Sequence, residues 1–203
     1  MLTVIVVVFL LTVLYGFSIR RWFGRWGTTP DELARRMAGD GIISDPTHSA
    51  TQALTVHAPP QAIWPWLVQM GYKRGGLYSY DSLDRLFGFL DRPSATRILP
   101  EFQHLKVGDK VYLGPRVELE VATLEPARAL VLSNKMGEME WVWQFGLEPV
   151  DPHRTRLVSR GIEHMPKTIW AWLYMRLMEP AAFVMTRLML LGLKQRAESM
   201  APS

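Results

Sequence analysis

The sequence predicts a single α+β domain, an antiparallel sheet covered by one long C-terminal helix, set behind one N-terminal transmembrane helix. Three observations carry that prediction. Met1 to Ile19 contains no charged residue. After Pro100 the apolar residues recur with a period of two for about 60 residues, and from Thr168 to about Glu198 the period is helical again. The chain has 203 residues, 48% of them hydrophobic and 21% charged, which is too apolar for a disordered protein and short enough for one domain beyond the anchor. It has no cysteine, so disulfides, thiolate metal sites and cysteine nucleophiles are excluded.

At about 1.5 Å per residue the first 19 residues span roughly 28 Å, close to the hydrocarbon thickness of a bilayer. Basic residues follow the apolar run and do not precede it, which argues against a cleaved signal peptide. Arg20, Arg21 and Arg25 are interleaved with Trp22, Phe23 and Trp26, the composition of an interfacial collar, and basic flanks stay cytoplasmic. The expected location is therefore the cell membrane, single-pass, with the globular domain in the cytoplasm. Residues 20 to 37 hold five arginines against two acids, a local +3 within a net charge of +4. The excess is juxtamembrane, where anionic lipid is the partner at hand, and no nucleic-acid binding is expected.

The expected organisation is a transmembrane helix over 1–19, a basic collar and short helix over 20–48, and one domain over 49–200. Thr29 reads as a helix cap with Pro30 in the first turn and Asp31 and Glu32 after it, the helix ending near Gly39 to Gly41. Thr51 to His57 alternates as a strand and runs into a helix through Ile63, Trp64, Leu67 and Val68, with Pro65 inside its first turns. A second short helix spans Ser82 to Phe87, with Gly88 as its stop. Strands follow at Lys106 to Leu113, Val117 to Thr123, Ala129 to Ser133, Glu138 to Glu148 and Thr155 to Ile162, each bounded by turn residues. Met139, Trp141, Trp143, Phe145 and Leu147 share one face; Glu140, Gln144 and Glu148 share the other, which predicts one wet and one apolar face. The C-terminal helix covers the apolar face, and Pro180 is expected to divide it.

Strand, two short helices, antiparallel strands and a long final helix is the element order of the helix-grip fold. The residues carry a resemblance as well. Ala58 to Gly71, Arg74 to Asp81, Arg97 to Glu101 with Leu105 to Asp109, and Glu179 to Gly192 resemble bacterial proteins of the SRPBCC superfamily, which comprises START-like, Bet v 1-like and polyketide cyclase-like domains. The resemblance covers roughly residues 28 to 198, and Trp64 to Asp81 is its most specific part. It implies a curved sheet gripping the C-terminal helix around a hydrophobic cavity for lipids, sterols, quinones or polyketides. It implies little about chemistry, because carriers, sensors and cyclases share this fold.

The expected ligand-binding residues are Trp64, Tyr80, Trp141, Trp143, Phe145, Met185 and Met189, an aromatic sheet face against adaptable methionines. Tyr78, Tyr80 and Asp81 are the candidate catalytic group, since a phenol beside a carboxylate can orient a carbonyl or supply a proton. The competing role for them is helix capping and core closure. Arg160 is a candidate partner for an acidic ligand head or, equally, a solvated surface residue. Arg20, Arg21, Trp22, Arg25, Trp26, Trp170 and Trp172 are expected at the membrane interface. The five histidines have no ligand spacing, and the Gly75-Gly76 pair lacks the rest of a phosphate loop, so neither a metal nor a cofactor is expected. The expected function is a membrane-tethered binding or carrier protein for an apolar small molecule, a lipid or isoprenoid quinone, with membrane lipid as partner. A cyclase or isomerase and a structural subunit of a membrane protein complex are the alternatives, and the enzyme reading is the weaker.

Overall fold

The computed structural model describes residue 3, residues 15–86 and residues 88–200. Most of the expected transmembrane segment, 1–19, lies outside these described residues. Among the described residues, no helix is long and apolar enough to cross a membrane.

A π-helical turn, Tyr15–Ile19, leads into α1 (Arg20–Phe23). The second helix, α2 (Pro30–Ala34), starts on a capping box: the Thr29 hydroxyl accepts the Glu32 amide at 3.2 Å, and the Glu32 carboxylate accepts the Thr29 amide at 2.8 Å. It stops well before Gly39. The Arg160 guanidinium takes the carbonyls of Glu32 and Arg35 at 2.8 and 3.0 Å, and the backbone turns extended at Arg35.

Next come β1 (His48–Val56), α3 (Pro60–Val68) and α4 (Asp81–Leu86), then β2 (Lys110–Gly114), β3 (Val117–Glu125), β4 (Ala129–Met136), β5 (Met139–Asp151), β6 (Arg154–His164) and finally α5 (Ile169–Met200). The six strands form one antiparallel sheet in the order β1-β6-β5-β4-β3-β2. Register shifts at Tyr112/Gly114, Val121/Thr123 and Pro149/Asp151 interrupt the ladders, and such irregularities bend the strands that carry them. This is a helix-grip arrangement, a curved sheet closed on one side by the last helix.

The period of two sorts side chains to two separate cores. Leu130, Leu132, Trp143, Phe145 and Leu157 face α5, where Met189, Leu190, Leu193 and Ala197 meet them. Their neighbours Val131, Val142 and Ile162 face the other way and pack on Ile43. Each large apolar side chain so buried contributes about 1.5–3 kcal/mol.

The outer face is therefore not the wet face that the alternation predicts. Residues 24–45 cover much of it. Arg160 is only 6% exposed, neither solvated nor in a ligand cavity. It pairs with Asp40 at 2.6 Å and donates to Thr51 Oγ1 at 3.0 Å. Gln144 donates to Asp40 and accepts from the Gly39 amide, and Arg156 grips both carboxylate oxygens of Glu32. Along the sheet edge, the Thr51 and Ala53 amides donate to the carbonyls of Gly24 and Trp26.

The long helix also departs from expectation, since α5 runs unbroken through Pro180. Its second half is seated by polar tethers: Lys194 donates to the Thr55 carbonyl, Arg196 to that of Ala95, and the His57 amide to Glu198. Gly192 makes the approach possible. A Cβ there would fall 1.9 Å from the Tyr78 carbonyl oxygen, and Tyr78 is itself held at φ 61°, a strained value for a residue with a side chain. Gly192→Ala is accordingly expected to cost about 2–3 kcal/mol, a drop of several degrees in Tm by thermal denaturation. An unchanged Tm would refute this account of the helix seat.

Candidate functional site

Beneath the first half of α5 the sheet and the helix enclose a cavity of about 720 Å³. Its floor follows from the registers. Trp141, Glu163 and His48 stand side by side across β5, β6 and β1; Trp143, Gly161 and Ala50 form the next row, and Phe145, Ser159 and Gln52 the row after that. Where large side chains would fill the space, the middle row supplies glycine and alanine. A Cβ on Gly161 would meet only the Trp141 indole nitrogen, at 3.9 Å. Met175, Met178, Met185 and Met189 of α5 form the roof, and Leu77, Phe89, Leu113 and Val117 close the far side.

A second cavity of about 440 Å³ adjoins the first, sharing His48, Met165, Pro166, Ala171, Met175 and Glu179 with it. Arg20, Ile169, Trp172 and Arg176 are among its other walls. It lies beside a surface of apolar side chains on the first turns of α5, where Trp170 is 76% exposed and Ile169, Trp172, Leu173, Tyr174 and Leu177 are also open to solvent. Trp22 and Ile19 are exposed near the start of the chain.

The polar groups concentrate where the two cavities meet. Glu179 is nearly buried, with both oxygens 2.8–2.9 Å from Arg20 Nε, and Arg176 is 3.4 Å away. Burial pushes His48 below its ordinary pKa; the Glu179 charge opposes that, and Arg20 and Arg176 add to it. Burial lifts Glu163 to about 7, and the neighbouring Glu179 charge adds to the rise. Among the described residues Glu163 Oε2 is buried without a hydrogen-bond partner, as is Gln52 Oε1, and both residues line the larger cavity.

Trp141, Trp143, Met185 and Met189 are brought together on the cavity wall, whereas Trp64, Tyr80 and Phe145 do not line it. Phe145 lies in the core beneath, 4.9 Å from the Trp143 ring. Trp64 packs on the outside of that core while Trp66 is the buried one, its ring edge-on to Tyr78. The candidate catalytic group is not assembled. Tyr78 is buried and donates to the Trp66 carbonyl, Tyr80 is 59% exposed, and Asp81 accepts the Ser94 amide. Their positions are those of core closure and loop fastening. At the expected membrane interface Arg21, Trp22, Arg25, Trp170 and Trp172 are exposed. Arg20 is instead the partner of Glu179, and Trp26 turns inward under the Arg187 guanidinium. Glu163 is absent from the sequence-based set, although alternation from Leu157 places it on the inner face; a charge at an inward position was the signal that could have marked it.

No family model matches the chain, and no curated protein matches it. Among solved structures it is similar to the Zhui aromatase/cyclase from Streptomyces sp. R1128, at 13% identity and a TM-score of 0.43 over 74% of this chain and 93% of that one. It is similar to a polyketide cyclase-like protein from Corynebacterium glutamicum, at 15% identity and 0.43 over 75% and 92%. A third likeness is to the Aha1 dimer from Colwellia psychrerythraea, at 16% identity and 0.40 over 70% and 94%. These likenesses are too distant to carry chemistry from one protein to another.

Glu163 gives the site a pH signature. Between its ordinary value near 4.5 and about 7 the folded protein keeps a proton that the unfolded chain has lost, so stability falls as pH rises through that window. The full difference is on the order of 3 kcal/mol. His48 runs in the opposite direction, so the comparison with a variant isolates the carboxyl. Glu163→Gln should be more stable than the parent at pH 8 and close to it at pH 4.5 in urea titrations. Parallel pH profiles for the two proteins would count against a buried, proton-retaining carboxyl.

Proposed function

We propose that this protein binds or carries an apolar small molecule, a lipid or an isoprenoid quinone being the natural candidates, and does so at a membrane surface. The observation that carries the reading is the cavity of about 720 Å³, floored by Trp141 and Trp143 around Ala50 and Gly161 and roofed by methionines. Its size falls in the range of small-molecule sites, and its walls are predominantly apolar. Flexible thioether side chains adapt to ligands of varied shape.

The membrane part of the proposal rests on two supports. The charge-free run over 1–19 has the length and composition of a tether with the domain on the cytoplasmic side. Exposed Trp170, Trp172, Leu173 and Leu177 form an apolar surface beside the smaller cavity, with Trp22 and Arg21 exposed on α1. Contiguous exposed apolar residues of this kind suit an interfacial contact. In this reading the smaller cavity is the passage between bilayer and ligand chamber. The cyclase or isomerase reading loses the residues on which it rested, since Tyr78, Tyr80 and Asp81 do not line the chamber.

Mass spectrometry of the full chain under native conditions tests the reading. An apolar adduct should accompany the wild-type protein. In Gly161→Leu the added side chain fills the chamber floor, and the adduct should fall at least tenfold with Tm unchanged or raised. A wild-type protein free of any apolar adduct would end the carrier reading.

A further inference from the structure

We propose that the chamber selects an elongated apolar molecule ending in a neutral hydrogen-bond donor, a hydroxyl or an amide N–H, and seats that end against the carboxyl of Glu163. The inference rests on the carrier reading above and adds the chemistry of the ligand's polar end.

A buried oxygen without a partner is rare in a folded protein and costs stability. Glu163 Oε2 is such an oxygen, on a residue that lines a chamber large enough for a ligand. No basic side chain pairs with it among the described residues; Arg20 and Arg176, where the two cavities meet, are committed to Glu179. In the strand register Glu163 is flanked by Trp141 and His48, and Met165, Pro166 and Met175 stand around the same part of the chamber. The missing partner therefore comes from the ligand.

The surrounding charges decide what kind of group it is. The arginine that lines the chamber, Arg116, stands at the β2–β3 turn, three strands away from β6, so an anionic head seated at Glu163 would stand against Glu163 and Glu179 together. A cationic head would face Arg20 and Arg176, which already neutralise Glu179. A neutral donor avoids both conflicts and satisfies the oxygen of the ionised carboxyl, which can only accept. The shape of the ligand follows from the floor. Gln52, whose Oε1 also lacks a partner, lies opposite Ser159, four residues along β6 from Glu163, roughly 13 Å at the rise of a strand. Between these two polar points the floor is Gly161 and Ala50 beside Trp143, an apolar channel that suits a chain or a flat ring system.

The test loads the full chain at pH 8, where the Glu163 carboxyl has lost its proton and can only accept, with an equimolar mixture of 1-dodecanol and 1-methoxydodecane, which differ in the donor, and reads the adduct ratio by native mass spectrometry. The alcohol-to-ether ratio of the wild type should exceed that of Glu163→Leu about tenfold. Glu163→Met provides a second apolar replacement with the same expectation, and Glu163→Gln should keep most of the preference because its amide oxygen still accepts. In the wild type at pH 8, dodecanoic acid should load to less than a tenth of the level of the alcohol. Equal ratios in wild type and apolar variants, with both probes bound, would overturn the assignment of Glu163 and leave the carrier reading standing. Preferential loading of the acid would also overturn it. If neither probe enters the wild-type protein, both proposals fall.

Discussion

The close approach of α5 to Tyr78 is the constraint from which the rest of the architecture follows. One helix of 32 residues must cover a curved sheet, and it meets the strands closely only over its second half. There the absent side chain at Gly192 admits the Tyr78 carbonyl, and Lys194, Arg196 and Glu198 fix the axis by bonding to three different loops or strands. With that half fixed, the first half is carried over the wide part of the sheet. The chamber is the space left beneath a helix whose direction is set elsewhere. Its volume is inherited from packing many ångströms away, so the residues that shape it are not confined to those that line it.

The second organising feature is that the sheet is occupied on both faces by different chemistry. The inner face is apolar and aromatic. The outer face is bound to residues 24–45 by guanidinium groups, with Arg156 on Glu32 and Arg160 on Asp40 and the carbonyls around the end of α2. Burying a charge is costly unless its hydrogen bonds are met, and those of Arg160 are met by Asp40, Thr51 and carbonyls that would otherwise be orphaned at the end of α2. The rest of that cover is closed by Ile43 packed on Val131, Val142 and Ile162, and the chamber lies on the opposite, inner side of the sheet.

What the sequence reveals and what it withholds follow from range. The Thr29 to Glu32 capping box, the alternation from Met139 to Leu147 and the helical period after Thr168 depend on neighbours within a turn or a strand, and each is legible. The outer cover is not legible, because residues 24–45 contain little periodic structure and Arg160 shares its face with Gln144, which by pattern reads as solvated. Pro180 reads as a break, although the helix tolerates the loss of one donor. The aromatic floor reads in the sequence as one apolar face, but its hollow is made by Ala50 and Gly161, residues that carry no pattern of their own. Trp64 and Trp66 differ only in which side of a short helix they occupy, and their contrasting burial comes from Tyr78 in the loop that follows.

The backbone bonds from Thr51 and Ala53 to Gly24 and Trp26 have a bearing on self-association. Unpaired amides at a sheet margin are a template on which another chain can add a strand, and β1 is such a margin, with Ala53 and Leu54 buried along it. The chain guards this margin with its own residues 24–27. Gly27 passes so near that a side chain on it would collide with the Ala53 carbonyl, 2.0 Å away. The connection between the start of the chain and the domain therefore also blocks the sheet edge. A truncation that reaches past Gly27 removes more than the amino-terminal segment: it uncovers donors and acceptors along β1 that another chain could pair with edge to edge.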